Sequence, residues 1–140
     1  MKICRENRDI LQSKAVSVHD AILRAMTFDR ERAQAELAME RDTPEGERYA
    51  IVLRGVAGLC ASNCGFWGPS PHVLDLEAVT EEEGLLDRLR QRWETEPYRK
   101  DEPFPGRDCF EVRMTFASGD VWSIVCREME IPEREIDPKR

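Results

Sequence analysis

The sequence predicts an α+β, mainly β, single domain: a curved antiparallel sheet of five or six strands with one packed helix. Three observations carry that prediction. Apolar residues recur at every second position through much of the chain, one segment alone has helical spacing, and glycine- and proline-bearing turns separate the alternating runs. At 140 residues the chain can bury roughly two-thirds of its unfolded surface and needs no disulfide or metal to fold.

Residues 1–17 have no clean period and read as an N-terminal extension or short helix, with Ile10, Leu11, Ala15 and Val16 as its apolar side. The domain proper is expected over 18–131. It opens on "HDAILRAMTFD", a strand with Ile22, Arg24, Met26 and Phe28 on one face and Ala21, Leu23, Ala25 and Thr27 on the other. "RAQAELAME" sets Ala33, Ala35, Leu37 and Met39 against Gln34, Glu36 and Glu40. Its composition also suits a helix, but strict alternation of its apolar residues favours a strand. "DRER" supplies the turn between the two. "DTPEGE" is a second turn, and "RYAIVLRGVAGL" is apolar enough for a central strand, with Gly55 and Gly58 marking a bulge or a close crossing. "HVLDLEAV" reads as a short strand through Leu74, Leu76 and Ala78.

"TEEEGLLDRLRQRWETEP" is the helix. Thr80 and Glu83 have capping-box spacing, glutamates sit at the positive end of the dipole, and Leu85, Leu86, Leu89 and Trp93 form one docking stripe. A proline-rich loop, "YRKDEPFPGRD", leads into "CFEVRMTFASGDVWSIVCREMEI", the strongest hairpin signal in the chain. A three-residue loop with Gly119 left-handed pairs Phe110 with Cys126, Val112 with Ile124 and Met114 with Trp122; a two-residue loop would exchange every face. Residues 132–140 are charged, carry two prolines and are expected to form a flexible tail.

Composition limits function. With 21 basic and 28 acidic residues the net charge is −7, which opposes nucleic acid and suits a basic protein partner. No apolar run approaches the ~20 residues that cross a bilayer, so no membrane span is expected. Five cysteines, an odd count, and no secretory leader place the chain in a reducing cytoplasm with free thiols.

Chemistry, if present, would centre on "CASNCGFWGPSPHVLDLE". Cys60, Cys64 and His72 form a runner-up metal set, weakened because structural zinc sites carry two close cysteine pairs and this chain has one. A small thiol enzyme with Cys64 as nucleophile and His72 as base is the other chemical reading, though the spacing is not that of a redox motif. No catalytic residue is assigned and no cofactor is expected. The prolines and glycines around Phe66 and Trp67 stiffen the loop, so these aromatics suit either a plug over the core or, with His72, a binding surface. His19 and Asp20, at the entry to the first strand, read as a backbone tie.

Taken together, "HDAILRAMTFD", "CGFWGPSPHVLDLE" and "SGDVWSIVCREMEI" resemble the YxiG-like group of small bacterial proteins, most specifically in Phe66 to Pro71. The resemblance covers Val18 to Ile131 and implies a cytosolic, antiparallel, β-rich fold without an assigned enzymatic activity. Such proteins are similar in size and setting to immunity proteins encoded beside polymorphic toxins. The family has no accepted catalytic residues to carry over, and the Arg- and Ala-rich first hairpin departs from its pattern. The expected function is therefore a non-enzymatic protein-binding module, of the immunity-inhibitor type, that presents an acidic face with Phe66, Trp67 and His72 to a basic partner. The alternative is a small thiol-dependent enzyme or metal-binding domain using the Cys60–His72 loop. Unpaired edge strands would also permit a homodimer.

Overall fold

Period-two segments fold as strands, and their number makes the class α+β, mainly β, as expected. The structure, a computed structural model, describes residues 1–12, 18–62, 72–79, 84–96 and 101–132. Its strands are β1 (Lys2–Cys4), β2 (Ile22–Asp29), β3 (Gln34–Glu40), β4 (Arg48–Arg54), β5 (Gly58–Ser62), β6 (Val73–Val79), β7 (Phe110–Phe116), β8 (Val121–Cys126) and β9 (Glu128–Glu130). They form a five-stranded sheet, order β1-β9-β4-β3-β2, and a four-stranded sheet, order β5-β8-β7-β6, both antiparallel. Helix α1 (Leu85–Thr95) and a 3-10 helix (Arg5–Ile10) complete the named elements. Among the described residues no helix is long and apolar enough to cross a membrane.

Two sheets stand where one curved sheet was expected because the chain changes sheet twice. β4 leads into β5 through Gly55, whose φ of +63° turns the strand out of its own sheet. β8 leads into β9 through Arg127 beside it, where the Arg127 amide donates to the Arg54 carbonyl at 3.0 Å and the Ala57 amide to the Val125 carbonyl at 2.8 Å. Because β4 pairs with β9 and β5 with β8, one hydrogen-bonded ribbon runs through both sheets and bends between them. At the opposite edges β2 and β6 meet in an isolated Ile22–His72 bridge, flanked by the Asp20 amide on the Val73 carbonyl and the Val73 amide on the Ala21 carbonyl, both at 2.8 Å.

The β7–β8 hairpin has the register its odd loop dictates: Phe110 opposite Cys126, Val112 opposite Ile124 and Met114 opposite Trp122, with Gly119 at φ +94°. Phe110, Val112, Met114, Ile124 and Cys126 meet Ala35, Leu37, Met39, Ile51, Leu53 and Met129 of the other sheet in the main core. β3 alternates as read, with Ala35, Leu37 and Met39 buried. β2 does not. Its pairing slips between Leu23 and Ala25, a bulge at Arg24 that puts Leu23, Met26 and Phe28 opposite the inward Met39, Leu37 and Ala35, and Ala25 opposite the outward Ala38. The simple alternation placed Leu23 and Phe28 on different faces; the inserted residue brings them to one.

The N-terminal segment is part of the sheet. β1 pairs with β9 through Lys2–Glu130, Ile3–Met129 and Cys4–Glu128, and Ile3 and Leu11 lie fully buried, so the first residues belong to the domain that was expected to start at residue 18.

Helix α1 covers the outer face of the four-stranded sheet. Leu85, Leu86 and Leu89 pack on Cys109, Val125 and Cys60 in a second, smaller core. Gly58 lets the helix approach closely, since a Cβ there would press on Leu89 Cδ1 and that side chain would have to shift. The helix is capped at Gly84 rather than Thr80, and Thr80 to Glu83 lie outside the described residues. Its cap comes from the sheet: the Leu86 amide donates to Glu111 Oε1 at 2.7 Å, and Glu111 is 2% exposed. Among the described residues the five-stranded sheet has no such cover. Its outer face carries Ala25, Ala38 and Ala50 in one cross-strand row and Thr27, Glu36 and Val52 in the next, and Ala25, Ala38 and Glu36 are exposed.

Candidate functional site

The histidine read as a binding residue, His72, lies at the corner where β2 and β6 meet. Its Nε2 is 3.2 Å from Asp42 Oδ2, a carboxylate carried by the turn between β3 and β4. That turn is closed by the Arg41 amide on the Glu47 carbonyl at 2.8 Å and by the Gly46 amide on the Thr43 carbonyl at 2.9 Å, with Gly46 at φ +57°. A carboxylate only accepts, so Nε2 is the donor in this contact.

His19 reaches the same corner from the other side. Its Nδ1 sits 2.9 Å from the Leu74 carbonyl oxygen, which requires the proton on Nδ1, and its Nε2 is 3.7 Å from Asp20 Oδ2. Strand alternation had set His19 and Asp20 on opposite faces. They lie instead in the turn before β2, closed by the Ala21 amide on the Val18 carbonyl at 3.0 Å, with Asp20 left-handed at φ 67°, and their side chains approach each other. The backbone-tie reading holds for both: Asp20 ties its amide to β6, and His19 ties its ring there.

Between these pairs is an open cleft of about 160 Å³, lined by His19, Asp20, Ala21, Arg41, Asp42 and Thr43. The carboxylates of Asp20 and Asp42 are well exposed on its rim, with side-chain exposures of 62% and 59%. Arg41 Nε is buried without a hydrogen bond among the described residues and stands 3.9 Å from Glu47 Oε2. The cleft offers acceptor oxygens at its mouth and so suits a cation or a hydrogen-bond donor that arrives from outside. Asp42 and Arg41 had no signal in the sequence, since a turn carrying Pro44 and Gly46 reads as a turn whatever its other residues face.

The cysteine reading divides. Cys60 is on β5 and His72 precedes β6, at opposite edges of the four-stranded sheet. Three strand spacings separate those edges, roughly 14 Å, whereas ligands of one zinc lie about 2 Å from it. Cys60 therefore does not share a metal with His72. Cys64, Phe66 and Trp67 lie outside the described residues. Among the described residues no three His, Cys, Asp or Glu side chains converge as a metal site.

The remaining thiols are structural. Cys126 is buried in the main core and its thiol is pushed up to about 12, first by burial and then by the neighbouring Cys109; burial likewise raises Cys109. A thiol whose pKa is raised stays protonated and a poor nucleophile at neutral pH. In native protein at pH 8, iodoacetamide followed by peptide mass mapping is expected to label Cys4 and Cys60 while sparing Cys109 and Cys126 until denaturant is added. Rapid labelling of Cys126 in the folded protein would contradict its burial.

No family model, no curated protein and no solved structure matches the chain. The resemblance drawn from the three sequence stretches thus gains no support from a family match, and the function has to be argued from the geometry.

Proposed function

We propose that this chain is a non-enzymatic protein-binding module for a basic partner, an immunity-type inhibitor acting in the cytoplasm. The observation that supports it is the acid-rimmed cleft at the β2–β6 corner, where Asp20 and Asp42 present exposed carboxylates. His72, the first described residue after the stretch that contains Phe66 and Trp67, stands 3.2 Å from Asp42. A protein with net charge −7 attracts a basic surface over a distance, and an exposed carboxylate pair, one member of it beside His72, receives an arginine or lysine at reduced ordering cost. The separation of Cys60 from His72 removes Cys60 from the metal alternative, and the thiol-enzyme alternative rests on Cys64, which lies outside the described residues.

The test is capture of the tagged chain from lysate of its own cells at low and high salt, with intact-complex mass spectrometry, in wild type, in Asp20→Lys/Asp42→Lys and in Cys60→Ala/Cys64→Ala. The reading expects one stoichiometric protein partner that high salt releases, that the aspartate variant no longer holds and that the cysteine variant still holds. A bare chain in every sample, or a partner indifferent to Asp20 and Asp42, would sink it.

A further inference from the structure

The face of the five-stranded sheet that the described residues leave uncovered lies apart from the cleft, and its chemistry differs. Solvated strand faces usually carry long polar or β-branched side chains, and alanine is a poor strand residue. Here Ala25, Ala38 and Ala50 stand side by side at the middle of the face and leave the backbone accessible to a close-packed neighbour. The other sheet spends its outer face on α1, through Leu85, Leu86 and Leu89. Nothing in the described residues serves that purpose for this one.

The charges say what would. Most ionic side chains of the face are already matched: Arg24 with Glu40, and Arg54 with both Glu128 and Glu130 at 2.9 and 2.6 Å. Glu36 and Arg48 form no ion pair among the described residues, and both are exposed. They belong to neighbouring strands, Glu36 one row to one side of Ala38 and Arg48 one row to the other side of Ala50. With Glu36 and Arg48 placed evenly about an alanine pair, and exposed Lys2 opposite Glu130 offsetting the second carboxylate on Arg54, the face is complementary to itself and has no charge excess that would select a basic protein.

We infer that a second copy of this chain docks on this face about a two-fold axis over Ala38 and Ala50, so that Glu36 of each copy meets Arg48 of the other. In an isologous interface each contact occurs twice, giving two such ion pairs around a close-packed alanine centre. The geometry is compatible with known sheet packing. At about 4.8 Å between strands and about 6.8 Å between side chains on one face, the line from Glu36 to Arg48 runs about 20° from the strand direction. Exchanging its ends by a two-fold in the interface plane crosses the strands of the two copies at about 40°, near the roughly 30° of aligned face-to-face sheets. This surface is independent of the proposed partner site, and either can fail without the other.

Sedimentation velocity on the full chain, with thermal melts to confirm folding, tests it in wild type, Glu36→Arg, Arg48→Glu, the double exchange and Ala38→Arg. Wild type is expected to show a monomer–dimer equilibrium. Each single reversal sets like charges opposite and is expected to weaken dimerisation about tenfold or more; the double exchange restores it, and Ala38→Arg yields monomer. Recovery in the double exchange identifies the pair even if one single variant folds poorly. A wild type monomeric over its whole soluble range overturns the inference, as does a dimer unchanged by Ala38→Arg, which would have to form through another surface.

Discussion

Replacing Glu111 by alanine is expected to lower the unfolding free energy by about 3 kcal/mol, roughly 10 °C in Tm, because it removes a charged cap and leaves a void beneath the helix. Glu111 lies between Val79 and Val125 on the face of the four-stranded sheet that α1 covers. Its Oε1 accepts from the Leu86 amide at 2.7 Å, and its Oε2 is buried with no hydrogen bond among the described residues and Arg113 Nη2 at 3.8 Å. Burying a carboxylate is costly unless it is matched, so this one must gain from the helix dipole and from the otherwise unpaired amide. Glu111→Gln, which keeps an acceptor and the shape, should lose less. The mechanism is read most sharply in a double-mutant cycle with Gly84→Ala. At Gly84 a Cβ would stand 2.5 Å from Glu111 Oε1, so Gly84→Ala should push the carboxylate off Leu86 in wild type and cost little once residue 111 is alanine. Equal costs in both backgrounds would show that the two do not interact.

The second large effect is expected at the bend between the sheets. Gly55→Val should destabilise by about 2 kcal/mol or more, since a β-branched residue is an outlier at positive φ. The φ there is +63°, and an added Cβ would also press on the Arg127 side chain at 2.9 Å. Gly55→Asn separates the two causes: asparagine tolerates the left-handed region, so it should recover the conformational part and keep only the crowding. Urea denaturation of the three proteins decides. If valine and asparagine were equally harmful, crowding at Arg127 rather than the backbone would be the constraint.

Where loop length or one buried face sets which way a strand's side chains point, their pattern was enough to read the structure. The β7–β8 register followed from loop length alone, and β3 alternated as written. Where the structure departs, a non-local cause is at work. A bulge at Arg24 adds one residue and exchanges faces, and no local propensity announces it. Lys2–Cys4 is too short to show a period and is a strand only because β9 offers it an edge. Glu111 occupies a slot that alternation assigns to solvent, and becomes buried because α1 lands on it. The nearly continuous apolar run "VWSIVC" was the available hint that this sheet is covered on both sides. For the candidate site, His72 was legible as a loop-end residue, but its Asp42 partner depends on a turn from a distant hairpin, and the separation of Cys60 from His72 depends on strand order, which spacing along the chain does not encode.

The ribbon that runs through both sheets also sets a timetable for synthesis. β4 cannot complete its pairing until β9 exists, and Val52 waits for Glu130 just as Lys2 does. A chain growing on the ribosome therefore carries β2, β3 and β4 as a meander with one unsatisfied edge while the next seventy or so residues are added, and contacts of such long sequence separation form slowly. Small stalls late in translation should expose that edge for longer, leaving the nascent protein dependent on holding chaperones until its last strand emerges.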